Sequence, residues 1–230
     1  MKLNVYDEIV SLGGDCPLAF NLRRTFGITD AFPFDWWVTP LPALMAWLED
    51  PSVQRLYDPS LLEPVVRDDV VEGLRNRHYG IVIQHEFPKS EDGGVRSDWR
   101  EHLEAPRTRS QHLLDRFLAL PSTAKRVLFA RSFVEAEQQA FAGRIPELMA
   151  EVRTLLESRL PGLDFDLLLV NSPDEVDLPG LRCIRVENPR KDDWRGDKRI
   201  WRKRLRGANV VWAREPRAQE ILAAAEAESP

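Results

Sequence analysis

The sequence predicts an α/β fold: a mostly parallel central sheet of about five to six strands, with helices on both faces. Three observations lead there. Short, near-continuous apolar runs rich in Val, Ile, Leu and Phe recur along the chain. Longer stretches with apolar residues at helical spacing separate them. Gly and Pro punctuate the changes from one to the other. The chain of 230 residues is expected to be a single α/β domain over 1–230, with an irregular, partly helical insertion at about 31–75.

Val5 to Leu12 reads as the first strand, ended by Gly13-Gly14. From Cys16 a helix follows, with Ala19, Leu22 and Phe26 on one face and Gly27 as its C-cap. The aromatic, Pro-rich loop 31–37 leads to a short helix over 41–49, and 51–75 reads as irregular and partly helical. Tyr79 to His85 is the second strand, stopped by Pro88. After a loop at 90–97, a helix over 98–119 turns Leu103, Leu113, Leu114 and Phe117 to the core. Arg126 to Arg131 is the third strand. One long helix over 135–159 follows, with Phe141, Ile145, Leu148, Val152 and Leu155 at helical spacing. Phe165 to Asn171 and Leu181 to Val186 are the fourth and fifth strands. A short strand at 209–212 and a helix over 215–227 end the chain.

Composition narrows the function classes. With 43% hydrophobic residues, seven Trp and ten Phe there is core material without disulfide staples, and two cysteines make no secreted framework. No signal-like N-terminus and no apolar run of membrane-spanning length is found, so the expected location is the cytoplasm, with reduced thiols. A net charge of −5 argues against bulk nucleic-acid binding and no membrane partner is expected. There is no Gly-rich phosphate loop, no C-x-x-C pair and no H-E-x-x-H, so neither a metal nor another cofactor is implied.

In parallel α/β sheets ligands bind beyond the carboxyl ends of the strands. Residues expected there are Asp15 and Cys16, His85 and Glu86, Arg131 and Ser132, Asn171 and Ser172, Glu187 and Asn188. Cys16 carries the strongest chemical signal. Pro17 marks the first helical position, so Cys16 sits at a helix start, where unpaired N–H groups and the helix dipole favour a thiolate. Those amides, with Gly13 and Gly14, could form an oxyanion hole. The competing reading is a small buried hydrophobe, and the neighbouring Asp15 carboxylate opposes thiolate formation. Of four histidines, only His85 is expected at the sheet edge, as general base and acid, or else as a loop cap. Asn171 could orient its imidazole, though an Asx turn before Ser172-Pro173 is the favoured explanation of it; Asp35 and Glu86 are the alternative orienters. Trp36 reads as packing or as an apolar wall beside the thiol, with Asp35 its polar handle. Arg131 is a candidate for substrate binding. Residues 190–217 hold eleven basic against four acidic side chains, a local +7, with Trp194, Trp201 and Trp212 interleaved. That stretch, Arg199, Arg202 and Lys203 in particular, could bind an anionic ligand or be a solvated helix face.

Ser11-Leu12-Gly13-Gly14-Asp15-Cys16 with Leu22-Arg23-Arg24, Pro33-Phe34-Asp35-Trp36, His85-Glu86-Phe87 and Val127 to Arg131 resemble a bacterial family labelled papain-like cysteine peptidases. The resemblance implies Cys16 as nucleophile and His85 as its base. It also implies the alternative α+β architecture, with the cysteine on a helix and the histidine on an antiparallel sheet. The oxyanion-hole glutamine of papain-like enzymes is missing before Cys16, leaving Ser11 or backbone amides for that role. Lipase-like esterases, whose Gly-Asp-Ser block is similar, need a histidine near the C-terminus, and none follows His112. The expectation is a cysteine-dependent hydrolase, peptidase or acyltransferase acting on an amide or ester of a small-molecule or peptide substrate. The alternative is a non-catalytic or transferase-associated module that binds a phosphate- or sulfate-bearing ligand through 190–217.

Overall fold

The computed structural model describes residues 3–187 and 193–216, together with Ala218, Glu220 and Ala223. The expected helix over 215–227, Asn188 and the start of the basic stretch fall largely outside them.

The chain enters through β1 (Asn4–Tyr6) and β2 (Glu8–Ser11), separated by Asp7, and turns at Gly13-Gly14 into α1 (Cys16–Phe26). Gly27 ends α1 in the left-handed conformation, donating its N–H to Arg23 O at 2.8 Å. A 3₁₀ turn at Pro33–Asp35 leads to β3 (Trp37–Val38), α2 (Leu41–Glu49) and α3 (Val53–Leu56). The segment read as irregular is in large part a hairpin, β4 (Leu62–Arg67) and β5 (Val70–Asn76). Its turn places Asp68 and Asp69 at φ 50° and 63°, which short Asp side chains tolerate; the flanking Val65-Val66 and Val70-Val71 were the sequence signal.

Of the expected strand 79–85 only β6 (Val82–Ile83) pairs, because the Asn76 side chain gathers the N–H groups of His78 and Tyr79 into a turn. Then come α4 (Glu104–Leu118), α5 (Leu120–Thr123) and β7 (Arg126–Ser132). The expected helix over 135–159 is broken into α6 (Glu135–Phe141) and α7 (Ile145–Arg159). Gly143 takes φ 79°, and the Asp174 carboxylate accepts from Gly143 N and Ile145 N at 2.9 and 3.0 Å, starting a new helix there. The chain closes through β8 (Asp164–Val170), β9 (Leu181–Ile184), α8 (Lys198–Gly207) and β10 (Val210–Trp212).

Among the described residues the architecture is mixed α/β. The hydrogen-bonded parallel sheet has four strands, in the order β2-β7-β8-β9, rather than five or six. β1 and β10 form a separate parallel pair. The strand leading to His85 belongs to an antiparallel sheet, β3-β6-β5-β4. Alternation along β7 divides the interior: Val127 and Phe129 join the larger core with Trp37, Trp47 and Ile83, whereas Leu128 and Ala130 join Leu18, Leu22, Trp201 and Leu205. Thus α1 and α8 cover one face of the parallel sheet, and the antiparallel sheet shares the core on the other.

Candidate active site

The loop between β2 and α1 is locked before the helix begins. Leu12 N donates to Ala130 O at 2.7 Å, and Ser132 N to Gly13 O at 3.2 Å. Gly14 adopts φ 101°, and a Cβ there would lie 2.3 Å from Ser132 O, so only glycine fits. Cys16 therefore starts α1 directly beyond the end of β2, as the sequence predicts, with its side chain buried at 8% exposure. Its Sγ lies 3.7 Å from His85 Nε2 and 3.9 Å from Trp36 O. His85, exposed and two residues past β6, comes from the antiparallel sheet rather than from a parallel strand end. The two sheets thus meet at the thiol–imidazole contact.

A cleft of about 550 Å³ opens on this pair, lined by Asp15, Cys16, Pro17, Trp36, Val38, Gln84, His85 and Trp194. Among the described residues its walls are apolar apart from Asp15, Gln84 and the pair itself. Burial, and then the Asp15 carboxylate, push the Cys16 thiol up to about 11, while its own N–H at the helix start pulls the other way. Asp15 accepts from Ser132 Oγ at 2.8 Å and makes no side-chain cap on α1. Burial also raises the Asp15 carboxyl. His85 is held below its ordinary value, first by burial and then by Lys89. Both shifts favour a neutral thiol beside a neutral imidazole and work against the thiolate expected from the helix dipole.

Several expected site residues serve the frame instead. Asn171, at φ 59°, uses its carboxamide oxygen to accept Val186 N at 2.7 Å, so it shapes a turn and does not orient His85. Asp35 is 4% exposed, pairs with Arg23 Nη2 at 2.9 Å and accepts Phe32 N at 3.1 Å. Glu86 turns inward to accept from Trp37 Nε1 at 2.8 Å and from the Tyr57 hydroxyl. Arg131 is wholly buried: it donates to Leu12 O at 3.0 Å and Thr39 O at 2.6 Å and pairs with Glu137 at 2.7 Å, out of reach of any substrate. Among the described residues no side chain hydrogen-bonds His85 other than Cys16.

Ser11 is buried, and its Oγ accepts Gly13 N at 3.1 Å, which commits that amide away from an oxyanion role. The uncapped N–H groups in the first turn of α1 remain for it. Trp36 does line the cleft, with the Arg23 guanidinium 5.7 Å over its ring. Pro17, Val38 and Gln84 were missed as site residues although each lies within two positions of a predicted one. Trp194 reaches the cleft from the far end of the chain, and nothing local in its sequence reveals that.

The basic stretch folds as α8, capped by Asp197, which accepts from Arg199 N and Ile200 N at 2.7 and 3.2 Å. Trp201 and Leu205 face the core; Arg199, Arg202 and Lys203 face outward. A separate cleft of about 490 Å³ lies between α8 and the end of α1, and Arg24, Lys198, Arg202 and Arg206 line it with Glu215. Glu215 pairs with Arg206. Among the described residues no group of His, Cys, Asp and Glu is arranged to hold a metal ion, and no helix is long and apolar enough to cross a membrane. No family model, curated protein or solved structure matches the chain.

Proposed function

We propose that the protein is a cysteine-dependent acyl-transfer enzyme, a hydrolase, peptidase or acyltransferase, with Cys16 as nucleophile and His85 as general base and acid. The observation that carries this reading is the 3.7 Å contact between Sγ and Nε2 at the floor of an open cleft. With Nε2 unprotonated, the imidazole takes the thiol proton as Sγ attacks a carbonyl carbon. It then returns that proton to the leaving group, and the first-turn amides of α1 face the developing oxyanion. A cysteine at a helix start and a histidine on an antiparallel sheet is also the disposition that the papain-like resemblance implies. Two free cysteines suit a reducing compartment such as the cytoplasm.

The test is acylation by p-nitrophenyl acetate, located by mass spectrometry. The acetyl group is expected on Cys16, and His85→Ala is expected to slow its transfer by about 10²- to 10⁴-fold. Because burial and Lys89 hold His85 low, the acid limb of the rate profile is expected below the ordinary 6.5. Acetylation at an unchanged rate in His85→Ala would sink the reading. A second reading, a module that binds a phosphate- or sulfate-bearing ligand, draws on Arg24, Lys198, Arg202 and Arg206, which line the cleft between α1 and α8. It requires phosphate-dependent thermal stabilisation that disappears in Lys198→Ala/Arg202→Ala.

A further inference from the structure

We propose that the group carried on Cys16 is an apolar acyl chain, delivered as a thioester or ester and seated between Pro17, Trp36, Val38 and Trp194; this rests on the Cys16–His85 reading above. Among the described residues no Lys or Arg lines that cleft, and the one carboxylate there, Asp15, is turned to Ser132. A negatively charged acyl group would lose its hydration there with no Lys or Arg among the described residues to pair with. An aliphatic chain loses nothing and gains about 25 cal/mol for each Å² of apolar surface removed from water. The volume, about 550 Å³, is that of an ordinary small-molecule site.

Trp194 supplies the second observation. It is one of the few large apolar side chains left exposed among the described residues, at 53%. Yet its position is held: its ring packs on Phe20 at 5.2 Å, and the following carbonyls, Arg195 O and Gly196 O, accept from Asn21 and Arg24 on α1 at 2.9 to 3.1 Å. An anchored but exposed indole at the mouth of a thiol cleft is surface that a bound chain would cover. The third observation is the asymmetry around the imidazole. His85 also borders a second cleft, of about 470 Å³, which Glu86, Glu101, His102, Glu104 and Arg109 make polar. One side of the pair suits an apolar acyl half and the other a polar leaving half.

The step needs no oxidant or reductant. The thiol proton passes to His85 Nε2 as the Sγ–C bond forms. The bond from that carbon to the donor's sulfur or oxygen then breaks, and the departing atom takes the proton from Nε2.

The experiment presents the whole chain with the octanoyl and acetyl thioesters of N-acetylcysteamine and with the p-nitrophenyl esters of both acids, following acyl-Cys16 by mass spectrometry. Octanoyl transfer is expected to exceed acetyl transfer by about tenfold or more, and Trp194→Ala to lower that ratio by about threefold or more. A preference seen with only one donor type identifies the donor and supports the proposal. Equal transfer of the two chains overturns it and leaves the Cys16–His85 pair standing. Absence of transfer from all four donors also overturns it, and iodoacetamide then separates the failures. Labelling of Cys16 slowed by His85→Ala keeps the pair, and labelling indifferent to His85→Ala removes the pair as well.

Discussion

At the scale of single residues, burial sets the chemistry of Cys16, and its neighbour in the chain, the Asp15 carboxylate, adds to it. Ser132 Oγ holds Asp15 at 2.8 Å without removing its charge. Asp15→Asn keeps the shape and a hydrogen-bonding partner for Ser132 while deleting that charge. Its Cys16 is expected to react with iodoacetamide about three- to tenfold faster at pH 8, because more of the thiol is ionised when the midpoint falls from about 11. An unchanged rate–pH curve would mean that burial alone sets the thiol. The opposition between Cys16 and Asp15 is visible in the sequence. Its outcome is not, because desolvation depends on walls supplied by Trp36, Val38 and Trp194.

At the scale of elements, the site is a joint between two strands' ends and a helix start, and Arg131 on β7 pins it. Its guanidinium holds the carbonyls of Leu12 and Thr39, and Glu137, which it pairs with, also accepts Leu41 N at 2.7 Å. This buried fork ties β2, the start of α2 and α6 to one another behind the Gly13-Gly14 loop. Arg131→Ala leaves Glu137 buried and unpaired, and is expected to cost about 3–5 kcal/mol by chemical denaturation. A loss below about 1 kcal/mol would place the pair among bystanders. The elements themselves were legible wherever a single local pattern governs them. α1, α2 and β7 to β9 follow from periodicity and from Pro or Gly at their ends. The split between α6 and α7 is marked locally by Gly143 and Pro146; only the capping by Asp174, from a distant loop, was not legible. The hairpin β4–β5 went unread because an Asp-Asp turn resembles a polar loop until Val66 and Val71 are seen to face each other across it.

At the scale of the whole molecule, the two halves of the pair stand on unequal foundations. Cys16 follows β2, which pairs with β7; β7 and β8 are buried along almost their whole length. His85 follows the two-residue strand β6, in a sheet whose outer strand β4 is largely exposed. Hydrogen exchange is expected to find the amides of β7 and β8 protected up to the global opening, with β4 exchanging sooner. Equal protection of both sheets would mean that they open together.

By itself the sequence determined the chemistry available to this protein: a cysteine at a Pro-marked helix start, a histidine ending an apolar run, a cationic amphipathic helix and an apolar loop beside the thiol. These are local matters of backbone preference, charge and periodicity. Only the tertiary structure decided which groups meet. It brought His85 to Cys16 from another sheet and carried Trp194 to the same cleft. It withdrew Asn171, Asp35 and Arg131 into the frame, where Val186 N, Arg23 with Phe32 N, and Glu137 with two carbonyls respectively engage them. The physical reason is that pairing of long-range groups follows from the burial of two apolar faces and the closing of one core, and no short stretch of chain encodes that.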